Sequence, residues 1–138
     1  MNLIEMLKLH EGLELKPYLD TRGKLTIGYG RNLDDVGISI QEAETMLAND
    51  IADARKRAEQ IFGWFGILDS VRQDVILNMV FNMGAAKVAH FVQMIEAIKR
   101  GDWNKAAEEM VDSAWARQVG ARAIMLSKMM QLGKYPDA

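Results

Sequence analysis

The sequence predicts an α+β fold, with a small antiparallel sheet lobe and a helical lobe joined by a long helix. Three observations carry this. Leu25, Ile27 and Tyr29 alternate with Thr26 and Gly28, which is the period of a strand. From Ile40 to Leu132 the apolar residues recur instead at every third or fourth position, the period of helices. No internal repeat or Pro/Ser-rich linker divides the 138 residues, a length that suits one domain of roughly 100–200 residues. The expected division is therefore a single domain: about 12–58 form the sheet lobe and linking helix, about 59–138 form the helical lobe, and 1–11 pack back on the latter.

Leu3, Ile4 and Leu7 open the chain as a short helix that stops near Gly12. Pro17, Gly23, Gly28 and Gly30 then punctuate a hairpin or three-stranded sheet, with Asp20-Thr21-Arg22-Gly23 as its turn. Ser39-Ile40-Gln41-Glu42 reads as a capping box, because Ser39 and Glu42 can each satisfy a free backbone amide at a helix start. Ile40, Ala43, Leu47, Ile51, Ala54 and Ala58 follow on one face of the long helix. Phe62 to Gly66 interrupts the pattern, and Asp69 is the next expected N-cap, with Gly84 ending that helix. Val88 to Ile98 predicts a helix ending at Gly101, Trp103 to Ala116 another, and Ala121 to Leu132 the last, closed by Gly133. Met79, Met83, Met110 and Met125 fall at helical spacing and read as core fillers.

Composition excludes several kinds of chemistry. The chain has no cysteine, so neither a thiol nucleophile nor a Cys-rich zinc site exists. With only His10 and His90, a multi-histidine metal centre is not expected, and no cofactor is implied. His10-Glu11-Gly12-Leu13-Glu14 lacks the second histidine of a zinc helix, and Gly28-Tyr29-Gly30 lacks the third glycine of a dinucleotide loop. The net charge of −2, with no basic stripe, argues against a nucleic-acid partner. Glu5, Lys8 and Glu11 break the apolar run that a signal peptide needs, and no stretch reaches the roughly 18 apolar residues of a spanning helix. The expectation is a soluble chain made in the cytoplasm without stable membrane insertion.

Two carboxyls stand where acid–base chemistry is possible. Glycosidic hydrolysis needs a protonated carboxyl for the leaving oxygen and an ionised one opposite it. Glu11 ends the first helix, where packing would desolvate it and raise its pKa. Asp20 lies in a polar turn that keeps a carboxylate charged, and Thr26 follows with a hydroxyl able to hold a water. Gly28 and Gly30 would let a sugar approach the backbone closely. Each residue also has an ordinary reading, as a solvated helix end, a turn former and a β-branched strand residue.

The run Glu11-Gly12-Leu13 … Lys16-Pro17-Tyr18-Leu19-Asp20 … Lys24-Leu25-Thr26-Ile27-Gly28-Tyr29-Gly30 resembles the signature of the phage-type lysozymes, glycoside hydrolase family 24. Glu, eight residues, Asp, five residues, Thr and then Gly-x-Gly all agree in spacing. Asn78 to Gly84 resembles the family's substrate-cleft helix, and Trp103 to Ala107 with Trp115, Gln118 and Arg122 resembles its C-terminal helices. The likeness is to the T-even members of the family in particular.

The resemblance implies a two-lobed lysozyme-like fold and an endolysin of phage or prophage origin. Such an enzyme is a muramidase hydrolysing the β-1,4 bond between N-acetylmuramic acid and N-acetylglucosamine in peptidoglycan, with inversion, for host cell lysis. Glu11 is then the acid, Asp20 the base and Thr26 the holder of the attacking water. Arg122 matches an arginine that pairs with the glutamate, and Asn32, Phe81, Met94 and Glu109 match sugar-binding positions. From periodicity alone Phe81 reads rather as a core residue on an apolar helix. The implied protein is a monomer, with the glycan strand as partner, reaching the periplasmic wall once the membrane is permeabilised.

Two other classes compete. A non-catalytic wall-binding or regulatory relative would lack one of the three residues; a lytic transglycosylase needs no base-held water. A helical DNA-binding module is remote given the charge. Three departures from the family also stand out. Arg31 replaces a common histidine, so a histidine-based ion pair must be rebuilt or lost. The segment from Gly30 to Ser39 is shorter than in the T-even members, and the overall charge is acidic rather than basic, which weakens steering to an anionic wall.

Overall fold

A computed structural model describes residues 1–137. It is α+β: eight helices and a three-stranded antiparallel sheet among the described residues. The chain falls into two compact units, Met1–Leu47 and Ala48–Ala138.

In the first unit, α1 (Leu3–Glu11) starts at a capping box that the sequence reading missed. Asn2 accepts from the Glu5 amide at 2.9 Å, and Glu5 accepts from the Asn2 amide at 3.0 Å. The helix ends at Gly12, whose φ of 71° suits only glycine without strain. β1 (Glu14–Leu19), β2 (Leu25–Gly28) and β3 (Arg31–Asn32) form a sheet in that order. Tyr18 pairs with Thr26 and Leu19 with Leu25; Thr26 then pairs with Asn32 and Ile27 with Arg31. Pro17, which has no amide to donate, sits on the edge strand β1 beside an irregularity in the ladder. This unit buries one side chain, Thr26.

α2 (Ile40–Ile61) begins at the expected capping box. The Glu42 amide donates to Ser39 Oγ at 3.1 Å, and Glu42 Oε1 accepts from the Ser39 amide at 2.9 Å. Its apolar face is buried only at Ala54 and Ala58, whereas Ile40, Leu47 and Ile51 are exposed. Arg31 has its own ion-pair partner, Glu42. Arg31 Nη1 donates to Glu42 Oε1 at 2.8 Å and to the Gly37 carbonyl at 3.1 Å.

The second unit carries the apolar core. Its centre is α3 (Ser70–Met83), capped by Asp69 as expected and buried at Val75, Ile76, Leu77, Met79 and Val80. Around it lie α4 (Ala85–Ala89), α5 (Val92–Arg100), α6 (Trp103–Val111), α7 (Ala114–Val119) and α8 (Ala121–Leu132). Ala97, Ala106 and Ala123 are fully buried, and such small residues let α5, α6 and α8 pack closely. The helices expected over 88–98 and 103–116 are each broken. Phe91 and Asp112 leave helical geometry, with ψ of 61° and 65°, and Ser113 caps α7 through the Ala116 amide. Met79 and Met110 fill the core and Met83 packs partly against it, but Met125 is half exposed, correcting its expected place.

Arg72 ties α3 to the end of α8. Its Nε donates to the Met130 carbonyl at 2.7 Å and an Nη to that of Gln131 at 3.1 Å, two of the carbonyls a helix end leaves unpaired. The guanidinium lies 4.0 Å from the Trp103 ring centre and 3.1 Å from Asp69.

Two outcomes follow from these contacts. Arg72→Lys loses the planar fork and the stacking, and is expected to destabilise the protein by roughly 1–3 kcal/mol in urea unfolding; an unchanged midpoint would contradict that role. Glu42 is held at a pKa of about 2 against an ordinary 4.5, first by the Arg31 hydrogen bond and then by Ser39. Stability from a depressed carboxylate is complete above about 4.5 and disappears as pH falls through about 2. The advantage of the parent over Glu42→Gln in urea unfolding should thus be present at pH 7 and shrink below pH 4.5. An advantage that persisted undiminished to pH 2 would refute the assignment.

Candidate functional site

Asp20 is placed by the turn that joins β1 to β2. Its Oδ1 accepts from the Arg22 amide at 2.8 Å and from the Lys24 amide at 2.9 Å, while its own amide donates to the Lys24 carbonyl at 2.9 Å. Gly23 closes the turn with a φ of 76° and donates to the Asp20 carbonyl. The carboxyl pKa is lowered, first by the Lys24 amide and further by the Arg22 amide and the two cations, with burial acting against them. The same bonds that shape the turn therefore keep Asp20 ionised, as a proton acceptor requires.

Thr26 lies two residues beyond Lys24, in the middle of the sheet and 3% exposed. Its hydroxyl donates to the Lys24 carbonyl at 2.9 Å, which leaves the oxygen lone pairs free to accept from a water. Lys24 thus carries both groups on its backbone: the amide holds Asp20 and the carbonyl holds Thr26. The sequence reading missed this residue, and its only signal was its position between them.

Glu11 is the last residue of α1, and its carboxyl rests against Gly30. A Cβ added at Gly30 would stand 2.8 Å from Glu11 Oε2 and 3.2 Å from Cδ, so a side chain there would displace the carboxyl. Gly30 also has a φ of 77°. Glu11 is exposed, as is every residue of α1. From Gly30 an open groove of about 1170 Å³ runs along Arg31 and Leu33 to Val36, Ile38 and Met46.

Of the expected sugar-binding residues, Asn32 belongs to the first unit and Phe81, Met94 and Glu109 to the second. Asn32 is bound within its own turn, donating to Asp35 Oδ2 and accepting from the Asp35 amide, both at 3.0 Å. In the second unit, Phe81 is 48% exposed and is therefore not a core residue. It lines a cavity of about 350 Å³ with Asp50, Asp53 and Arg57. Glu109 borders a separate cavity of about 290 Å³ with His90, Gln93 and Asp112, and is paired to Lys105 at 3.0 Å. Met94 underlies that cavity but is 1% exposed. Its side chain is core and has almost no surface for a sugar, which corrects the expectation for it. Arg122 donates from Nε to Asn78 Oδ1 at 2.9 Å. Asn82, within the block that resembles the cleft helix, accepts from Trp115 Nε1 at 2.8 Å. No cluster of three or more His, Asp or Glu side chains suited to a metal occurs among the described residues.

Comparison with known proteins gives a consistent result. The family model "Phage lysozyme" matches residues 8–129. Over 96% of this chain there is 31% identity to the pre-baseplate central spike protein Gp5 of Enterobacteria phage T4, of whose length the match spans 28%. "Probable T4-type lysozyme 1" of Dictyostelium discoideum is 30% identical over 94% of this chain and 93% of its own length. The endolysin of Acyrthosiphon pisum secondary endosymbiont phage 1 is 30% identical over 85% of this chain and 80% of its own. With the matched residues running from the end of α1 into α8, the chain belongs to the phage lysozyme family.

Proposed function

We propose that the chain is an endolysin-type muramidase. It hydrolyses the β-1,4 bond between N-acetylmuramic acid and N-acetylglucosamine in peptidoglycan, with inversion, as a monomer that reaches the periplasmic wall after membrane permeabilisation and lyses the host cell. The observation that carries the reading is the pairing of Asp20 and Thr26 on the backbone of Lys24. An ionised carboxylate and a hydroxyl with free lone pairs are both held by the backbone of one residue, a suitable cradle for one water. The names of the relatives, two of them lysozymes and one an endolysin, support the same class.

In this mechanism Glu11 gives its proton to the glycosidic oxygen as the bond lengthens. Asp20 takes a proton from the water, and Thr26 accepts the water's other hydrogen bond, so that one lone pair faces the anomeric carbon from the opposite side. The hydroxide equivalent ends on the sugar and the proton on Asp20. Arg122, Asn32, Phe81 and Glu109 remain candidates for holding the acid and the glycan. A lytic transglycosylase would make no use of the Asp20–Thr26 pair, which disfavours that reading.

Glu11→Gln tests the acid, because an amide cannot supply the proton. Turbidity clearing of permeabilised Gram-negative cells should fall by about 10²–10⁴-fold with the fold retained by circular dichroism; near-parent clearing would sink the assignment. Thr26→Glu tests the water site. A carboxylate in place of the water should trap the departing sugar as a covalent adduct, read as a mass increase on the intact protein. Full activity in Thr26→Val together with no adduct in Thr26→Glu would reduce Thr26 to a structural residue.

A further inference from the structure

β3 holds Gly30 against Glu11, yet it is only two residues long and lies at the edge of the sheet. Its ladder to β2 consists of Thr26 with Asn32 and Ile27 with Arg31. So short a strand fixes its own position weakly. A second mooring comes from the residue next to Gly30. Arg31 Nη1 donates to the Gly37 carbonyl at 3.1 Å and to Glu42 Oε1 at 2.8 Å. Glu42 is itself held, since the same oxygen accepts from the Ser39 amide at the start of α2. A continuous chain of contacts therefore runs from the α2 N-terminus through Glu42 and Arg31 to Gly30, and Gly30 abuts the Glu11 carboxyl without room for one added carbon.

We propose that Arg31 is a positioning residue for the Glu11 carboxyl, acting through Gly30, and that its ion pair with Glu42 sets where the proton donor stands. This rests on the reading of Glu11 as the acid. The guanidinium is engaged by Glu42 and Gly37, so it acts on geometry and offers little to substrate. If the mooring is cut, β3 is free to shift, and with it the surface against which Glu11 rests. A displacement on the order of 1 Å can cost about 10²-fold in rate.

The test compares Arg31→Met, Arg31→Lys and Glu42→Gln, using soluble peptidoglycan fragments as substrate. Glu42→Gln keeps an acceptor for the capping box and loses only the charge, so it stands in if Arg31→Met fails to fold. For Arg31→Met and Glu42→Gln, kcat should fall by about 10–10²-fold with KM within about twofold of the parent. The basic limb of the pH–rate profile, which reports the acid, should move in both. Arg31→Lys keeps a cation for Glu42 and should recover kcat to within about threefold. Lys99→Met breaks a pair of similar exposure with Glu96 on α5 and should change neither quantity. Parent-like kcat and pH profile in folded Arg31→Met and Glu42→Gln would overturn the proposal, as would a rise in KM alone. The two levels of the reading separate cleanly: activity in Glu11→Gln defeats the acid itself, whereas an inactive Glu11→Gln beside a fully active Arg31→Met defeats only the positioning.

Discussion

The unit that holds Glu11, Asp20 and Thr26 has no apolar core, and its geometry depends on charged side chains tied to backbone. Among residues 1–47 only Thr26 is buried, while Leu15, Leu19, Tyr29 and Val36 are exposed. The ties are specific. Asp20 holds two amides of its turn, and Asp34 accepts from the Leu25 amide at 2.7 Å. Asp35 pairs with Lys24 at 3.1 Å, and Arg31 bridges Gly37 and Glu42. Hydrogen bonds to a charged group contribute more than neutral ones when well formed, and exposed ion pairs contribute less. A few such ties can hold a three-stranded sheet whose own burial is small.

This arrangement joins structure and chemistry at single atoms. The amides that bend the chain at Asp20 are the ones that lower its pKa, so the bonds that shape the turn also favour the ionised carboxylate. Lys24 extends the coupling, because its carbonyl orients Thr26 while its amide orients Asp20. Gly30 adds a steric constraint, leaving the space the Glu11 carboxyl occupies. The second unit is built on the opposite principle. Fully buried Phe65, Ile76, Met79 and Met110 form a dense interior, and one arginine, Arg72, satisfies the end of α8.

What could be read from the sequence follows the same physics. Local rules located the helix starts at Ser39 and Asp69 and the stops at Gly12, Gly84, Gly101 and Gly133, because a cap depends on residues within one turn. Periodicity identified the apolar faces but not which of them meet a partner. Met94 is consequently deeper than its expected role allows, and Met125, Phe81 and the start of α2 are more exposed than spacing suggested. The breaks at Phe91 and Asp112 depend on how short helices pack, which no local pattern records. For the site, composition left Glu11, Asp20 and Thr26 as ordinary residues, and resemblance singled them out. Neither route pointed to Lys24, or to Glu42 as the partner of Arg31, since both contacts exist only once the strands are in register.

The central claim is that a water held by Asp20 and Thr26 attacks the anomeric carbon from the face opposite Glu11. Proton NMR of the products, recorded within the first minutes of digestion and before mutarotation, reports the configuration of each new reducing end. Inversion of a β-linked strand gives the α anomer first, and the account requires that result. Initial release of the β anomer would mean a retained configuration and would contradict it.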